Sequence, residues 1–265
     1  MVTEFARPLS AEPLQVFKPE VVILSSSELV DRYAFSVVQE QILSNKHSVL
    51  TLPTGFSPQG IYRLMVEAYR SGLDMGSLVT TNLDEYWPLP KNHSQSYDHF
   101  MRESLFDYIN IPESQRHIPS SAAEDPEKEA ARYQSVLEQV GAADLAILGI
   151  GPGLPCHIGF NERGSTLDSR VRLVQVDPET VRANARFFGG DERQVPHQAI
   201  TQGITDILEA KKIILIAKGC GKAKGIQRAL DGPVNSDAPA SFLRLHPNVT
   251  FIIDQEAGSL FNKSI

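Results

Sequence analysis

Cysteine is scarce: Cys156 and Cys220 are the only two in 265 residues, too few for a disulfide framework or a cysteine-rich zinc site. No apolar run approaches the roughly 20 residues that a membrane-spanning helix needs. The opening residues, Met1 to Arg7, lack the basic-then-apolar layout of a secretion signal. Positive charge is also short, since 25 Lys and Arg against 32 Asp and Glu leave a formal charge of -7. That balance argues against a nucleic-acid or anionic-membrane partner, yet permits a local basic pocket for a small anion. Repeats and low-complexity tracts are missing, and no linker separates two cores. What remains is an ordinary globular composition, 42% hydrophobic and 22% charged, and the expectation is one large α/β domain in the cytoplasm.

Short β-branched runs alternate with stretches of helical period. Strands are expected at 21–24, 49–52, 78–82, 145–149, 172–176, 213–217 and 249–253. Helices are expected over 27–44, 58–71, 96–108, 126–140, 199–209 and 223–230. Such alternation implies parallel βαβ units with right-handed crossovers. The expected fold is a single Rossmann-like α/β domain, an open, doubly wound, mainly parallel sheet with helices on both faces. Residues 1–19, weak in periodicity, form an N-terminal arm, and 20–265 form the domain. Ligands of such sheets bind beyond the carboxyl ends of the strands, which directs attention to 53–58, 83–86, 150–162 and 218–222.

Each of these strand ends carries candidate chemistry. Thr54, Gly55, Phe56 and Ser57 follow a strand and open a helix, with Ser57 suited to the N-cap and Pro58 to the first helical position. Free N–H groups there make an anion site, although an ordinary capped helix has the same pattern; no Walker motif is present. Asp84 and Glu85 are adjacent, so at most one points into a pocket, where a carboxylate could remove a proton from carbon beside a carbonyl or imine. An acidic surface turn is the plainer reading. Between Gly149 and Glu162, glycines allow close backbone approach. His157 and Glu162 bracket a short apolar segment there, which suits a histidine oriented by a carboxylate. Cys156 as nucleophile with His157 as base is a poor arrangement, because neighbours on an extended chain point apart. Lys222 follows Gly219-Cys220-Gly221 into a helix and can reach an anion, and Arg186 can add a bidentate clamp. Solvated surface charge is the alternative for both.

Together LPTGFSP, NLDEYWPLP, HSQSYDHFM, HIGFNE, VRANARFF, QVPHQAIT and GCGKA resemble the glucosamine-6-phosphate deaminase (isomerase) family, over about residues 21 to 260. The 6-phosphogluconolactone hydrolases share that fold, but their counterpart of HIGFNE usually reads differently. The resemblance implies a sugar-phosphate isomerase/deaminase domain over 20–265, no metal or organic cofactor, a phosphorylated amino sugar as partner, and a homo-oligomer. The implied reaction takes glucosamine 6-phosphate and water to fructose 6-phosphate and ammonia. Carried across, Asp84 moves the proton from C2 to C1, His157 opens the pyranose ring and Glu162 holds His157. Thr54, Gly55, Phe56, Ser57, Arg186 and Lys222 then grip the phosphate.

The chain departs from the family pattern in places. The interval between Gly151 and His157 is two residues longer than usual, and Pro155 stands where the family often carries Asp. The extra residues are expected to bulge as a wall or lid, leaving His157 and Glu162 facing Asp84, with ring opening the weakened step. Phe56 stands where Gly is usual and would narrow the space around its loop. Ser165, Thr166 and Arg172 fall where the family binds its allosteric effector, while Val174 replaces an expected basic residue. Two other readings stay open: a related sugar-phosphate isomerase or hydrolase with a changed substrate, and a non-catalytic sugar-phosphate sensor.

Overall fold

The computed structural model describes residues 14–151 and 156–261. The chain runs β1 (Glu20–Leu24), α1 (Ser27–Ser44), β2 (Val49–Leu52), α2 (Gln59–Arg70), β3 (Val79–Asn82), β4 (Asp84–Trp87), α3 (Tyr97–Ser104), β5 (Arg116–His117), α4 (Pro126–Val140), β6 (Leu145–Gly149), β7 (Arg172–Gln175), α5 (Pro178–Asn184), β8 (Gln198–Thr201), α6 (Ile204–Leu208), β9 (Ile213–Ala217), α7 (Ala223–Asp231) and β10 (Val249–Asp254). Seven strands form a parallel sheet in the order β1-β10-β9-β6-β2-β3-β5. The central strands are apolar on both faces, as a sheet covered twice requires; every residue of β9 is buried. On one face, Val30, Ala34, Val38 and Ile42 of α1 pack with Ile61, Tyr62 and Met65 of α2. On the other, Ile204, Ile207, Ile226, Ala229, Phe242 and Leu243 close the second core. Each such large side chain contributes roughly 1.5–3 kcal/mol on burial. Helix starts follow their cap residues: Ser26 Oγ accepts the Leu29 N–H, and Asp125 precedes Pro126 at the start of α4.

This strand order positions the site. β9, β6, β2 and β3 are consecutive neighbours, so the loops leaving their carboxyl ends lie side by side. The four strand ends that carry candidate chemistry are the ends of these four strands.

Several local expectations are corrected. Residues 198–201 are a strand, not the start of a helix over 199–209; α6 begins only at Ile204. The run Gln-Ala-Ile-Thr is short enough for either state, and pairing with β4 and β7 decides it. The strand expected at 172–176 joins not the parallel sheet but a second, antiparallel sheet of order β4-β8-β7. β4 itself, β5 and α5 have no counterpart in the pattern reading. β4 follows β3 after one residue, Leu83, and reads as a loop until β8 is beside it. The helix expected over 96–108 breaks at Leu105, whose φ of -146° is not helical, and ends in a 3-10 turn. α2 starts at Gln59 with no side-chain cap, so Ser57 is not its N-cap.

The second sheet has a small core of its own, where Tyr86, Phe160, Val181, Ala185, Phe188 and Ala199 meet. The Tyr86 ring lies 5.1 Å from both Tyr97 and Phe160. Of the expected N-terminal arm, residues 1–13 lie outside the described residues; Phe17 is tied down by its N–H to the Arg244 carbonyl at 2.7 Å. No helix among the described residues is long and apolar enough to cross a membrane.

Candidate active site

Three consecutive residues at the end of β6, Gly149 to Gly151, organise the candidate site. A methyl group on Gly149 would lie 3.8 Å from Ser57 Cβ, so the β2 loop packs directly on this strand end. The next residue, Ile150, accepts a hydrogen bond from Lys222 Nζ at 2.5 Å through its carbonyl. At Gly151 a methyl group would come within 2.3 Å of the His157 ring, so the imidazole lies flat against bare backbone. Ser57, Lys222 and His157, drawn from three separate loops, thus converge on three successive residues.

At the cationic end, burial pushes the Lys222 ammonium down to about 8, and the Arg186 charge beside it adds to the shift. Two cations near each other in this way can share one anion. Arg186 is exposed, with its guanidinium 4.7 Å above the Phe187 ring. Gly55 turns the β2 loop with a φ of +88°, a conformation that favours glycine. Phe56 does not crowd this loop: its side chain is 71% exposed. Ser57 faces Gly149 in place of capping α2, which leaves the first N–H groups of α2 without a side-chain partner.

At the other end lie the acids. Asp84 is buried at the start of β4, and burial raises its carboxyl to about 7 against the opposing Phe160 N–H. Gly159, with a φ of +57°, lets the turn approach: a methyl there would lie 3.1 Å from Asp84 Oδ2 and 3.0 Å from Thr201 Oγ1. Glu85 faces the opposite way, as the alternation of a strand requires. Its carboxylate accepts the N–H groups of Tyr86, Tyr97 and Asp98 at 2.8, 2.9 and 3.0 Å, anchoring the start of α3. Of the two adjacent acids, one lies against the Gly159 turn and the other anchors a helix.

His157 Nδ1 lies 2.9 Å from Glu162 Oε2, an ion-pair separation without in-line hydrogen-bond geometry. The other Glu162 oxygen accepts from Thr180 Oγ1 at 2.7 Å. Burial opposes the Glu162 charge, but His157 and Thr180 outweigh it and hold the carboxyl below its ordinary value. A carboxylate at Nδ1 favours the tautomer protonated there, leaving Nε2 to exchange protons with a ligand. The turn between them carries Phe160, whose N–H donates to Thr201 Oγ1 at 3.2 Å, and Gly159, which lies against Asp84. Residues 157 to 162 therefore join the His–Glu pair and the Asp84 carboxylate in one short unit.

Pattern reading missed the polar scaffold behind this unit. Asn161 Nδ2 donates to the carbonyls of Ile158 at 3.0 Å and Gln202 at 2.8 Å. Gln202 Nε2 in turn donates to the Asn82 carbonyl at 3.0 Å, as does Tyr133 Oη at 2.6 Å. The only hint in the sequence is a polar residue inside each of two short motifs, HIGFNE and the QVPHQAIT run with its following Gln. Cys156 is buried among Ile158, Ala240 and Phe242, and burial pushes its thiol up to about 11. It is a core residue, not a nucleophile. The expected wall or lid at 152–155, Pro155 included, lies outside the described residues. Ser165, Thr166, Arg172 and Val174 do gather, lining a cavity of about 280 Å³, where Arg172 Nη2 donates to Ser165 Oγ at 2.9 Å.

These features place the chain among open parallel α/β proteins with charged and polar side chains gathered at the carboxyl ends of the strands. The model of glucosamine-6-phosphate isomerases/6-phosphogluconolactonase matches residues 25–158, and the chain belongs to this family. It is 42% identical over 242 residues to a glucosamine-6-phosphate deaminase of Thermoanaerobacter pseudethanolicus, covering 91% of this chain and 94% of that one. Identity to glucosamine-6-phosphate deaminase 2 of Bacillus subtilis is 43%, with 90% and 96% covered. Among solved structures, a monomeric glucosamine-6-phosphate deaminase superimposes with a TM-score of 0.88 at 36% identity, covering 91% of this chain and 99% of the other. A 6-phosphogluconolactonase from Trypanosoma cruzi, 20% identical with a TM-score of 0.77, covers 96% of this chain and all of that one and shares the fold.

Proposed function

We propose that this chain is a glucosamine-6-phosphate deaminase, converting glucosamine 6-phosphate and water to fructose 6-phosphate and ammonia. The supporting observation is the convergence on residues 149 to 151. Ser57 and Lys222 define an anion end, and His157 with Glu162 begins an acid–base end that continues to Asp84. A phosphate fixed at the first end holds the sugar so that its other end meets the proton-transfer groups.

The steps follow from the side chains. His157 Nε2 moves a proton between the anomeric hydroxyl and the ring oxygen, which opens the pyranose, and Glu162 stabilises the imidazolium formed on the way. Asp84, buried yet ionised above about pH 7, removes the C2 proton and returns it to C1. The C2 amino group passes through an enolamine to an imine, which water hydrolyses to the ketone and ammonia. Thr54, Gly55, Phe56 and Ser57 offer backbone N–H and hydroxyl groups to the phosphate, with Arg186 and Lys222 supplying charge.

The same reading treats residues 20–265 as the deaminase domain and the protein as cytoplasmic. The family resemblance suggests a homo-oligomer, whereas one structural relative is a monomer; sedimentation velocity distinguishes the two. Ammonia release across a panel of hexosamine 6-phosphates tests the activity. Turnover confined to glucosamine 6-phosphate is expected; binding without ammonia release from any of them would favour the sensor.

A further inference from the structure

Beneath the anion end lies a buried ion pair that the chemistry above does not use. Lys218, the first residue after β9, places Nζ 2.7 Å from Asp31 Oδ1 on α1, with side chains only 9% and 11% exposed. The Asp31 carboxylate also abuts the first turn of α2. A methyl group on Gly60 would lie 2.0 Å from Asp31 Oδ2, so a side chain there would displace the Asp31 carboxylate. α2 is the helix that follows Thr54–Ser57, and Lys218 precedes the Gly219–Lys222 loop. One carboxylate therefore touches the elements behind both halves of the anion grip.

A second carboxylate fixes the same turn from the other side. Asp254, at the end of β10, accepts the Gly219 N–H at 3.0 and 2.9 Å and the Ser27 hydroxyl at 2.9 Å. The Lys218–Gly219 step is thus held to α1 twice, once through a side chain and once through the backbone. An apolar contact would fill this space equally well. A charge-assisted bond fixes a distance and a direction, which packing alone does not.

We propose that Asp31 is a positioning residue for phosphate binding, setting the separation between the Thr54–Ser57 loop and the Gly219–Lys222 loop through Gly60 and Lys218. This rests on the deaminase reading for the identity of the ligand, but not for its test. The probe is inorganic phosphate, titrated calorimetrically into the wild type, Asp31→Asn, and the double variant Asp31→Leu with Lys218→Met. Replacing a buried pair by apolar side chains often restores stability, so the double variant separates folding from positioning.

Phosphate affinity is expected to fall about tenfold in both variants, with the double variant at or near wild-type melting temperature. KM for glucosamine 6-phosphate should rise with little change in kcat. Wild-type phosphate affinity in the stable double variant would overturn the proposal, because the pair would then serve packing alone. Absence of phosphate binding by the wild type would also overturn it. Ammonia release by the wild type decides the deaminase reading separately, so the two can fail independently.

Discussion

At the proposed acid–base end, both carboxyl groups, Asp84 and Glu162, are buried. Asp84 sits in the second sheet against Phe160, and Glu162 is clasped between His157 and Thr180. At the proposed phosphate end, Arg186 is exposed, while Lys222 is part-buried against the Ile150 carbonyl. The difference follows from the two tasks. Moving a proton at carbon needs a base whose pKa lies near the working pH, which burial provides. Holding a hydrated dianion needs at least one charge that stays accessible, which Arg186 offers. Damage to the first end should therefore reach kcat, and damage to the second KM.

The sharpest test is Asp84→Asn. Loss of the base should cut kcat at least about 100-fold while leaving KM little changed, as measured by ammonia release. The same variant should be more stable at pH 8. The folded carboxyl keeps its proton up to about pH 7, whereas an unfolded one releases it near pH 4. Between those values the unfolded state is increasingly favoured, and above pH 7 the penalty is constant. Asparagine removes it, so urea unfolding should show a gain on the order of 1–3 kcal/mol. Unchanged turnover would remove Asp84 from the mechanism.

Gly151→Ala probes the His157 position without touching its chemistry. The new methyl would come within 2.3 Å of the imidazole, and the ring must move. A displaced ring-opening group should cost on the order of 10- to 100-fold in kcat with cyclic substrate. A substrate supplied largely in open-chain form should recover part of that loss. Equal losses with both forms would show that His157 acts after ring opening.

Lys222→Met carries the comparison to the other end. Losing a charge-assisted contact should cost about 1.5–3 kcal/mol, read as a KM increase of roughly tenfold or more with kcat less affected. The pH profile joins both ends. As pH falls through about 7, Asp84 is protonated and kcat/KM drops; as pH rises through about 8, Lys222 loses its charge and kcat/KM drops again. Bound phosphate holds the proton on Lys222, so the alkaline limb should be absent from kcat itself. An alkaline limb of equal height in kcat would separate Lys222 from the phosphate.

Much of this was legible in the residues, unequally. The parallel sheet is written in contiguous apolar runs such as Ile213–Ala217, and its helices carry visible caps such as Ser26 and Asp125. Glycine-rich strand ends drew attention to His157 and Lys222, and an acid at a strand end to Asp84, as candidates. The second sheet was not legible, because β4 and β8 are four residues each and exist through pairing across more than a hundred residues of chain. For the same reason Asn161, Gln202 and Asn82 escaped notice: their hydrogen bonds run to backbone carbonyls distant in sequence. Asp31 was hidden differently. It stands on the apolar face of α1, where only the fold reveals Lys218 as its partner.

The smallest effect is expected at Cys156, where the acid–base end meets the apolar core. Its thiol is buried and pushed up to about 11, so almost no thiolate exists at neutral pH and no nucleophile is available. Its backbone does the local work: the Cys156 carbonyl accepts the Ala240 N–H at 3.1 Å, a bond that any residue would keep. The positive φ of 38° is strained for cysteine and alanine alike. Cys156→Ala therefore removes one sulfur from the packing and little else, at a cost of about 1 kcal/mol. Turnover should stay within about twofold of wild type. Alkylation of the native protein should modify Cys220, which is exposed, and spare Cys156. A tenfold loss of turnover in a variant of near-normal stability would return the thiol to the chemistry and move the boundary between pocket and core.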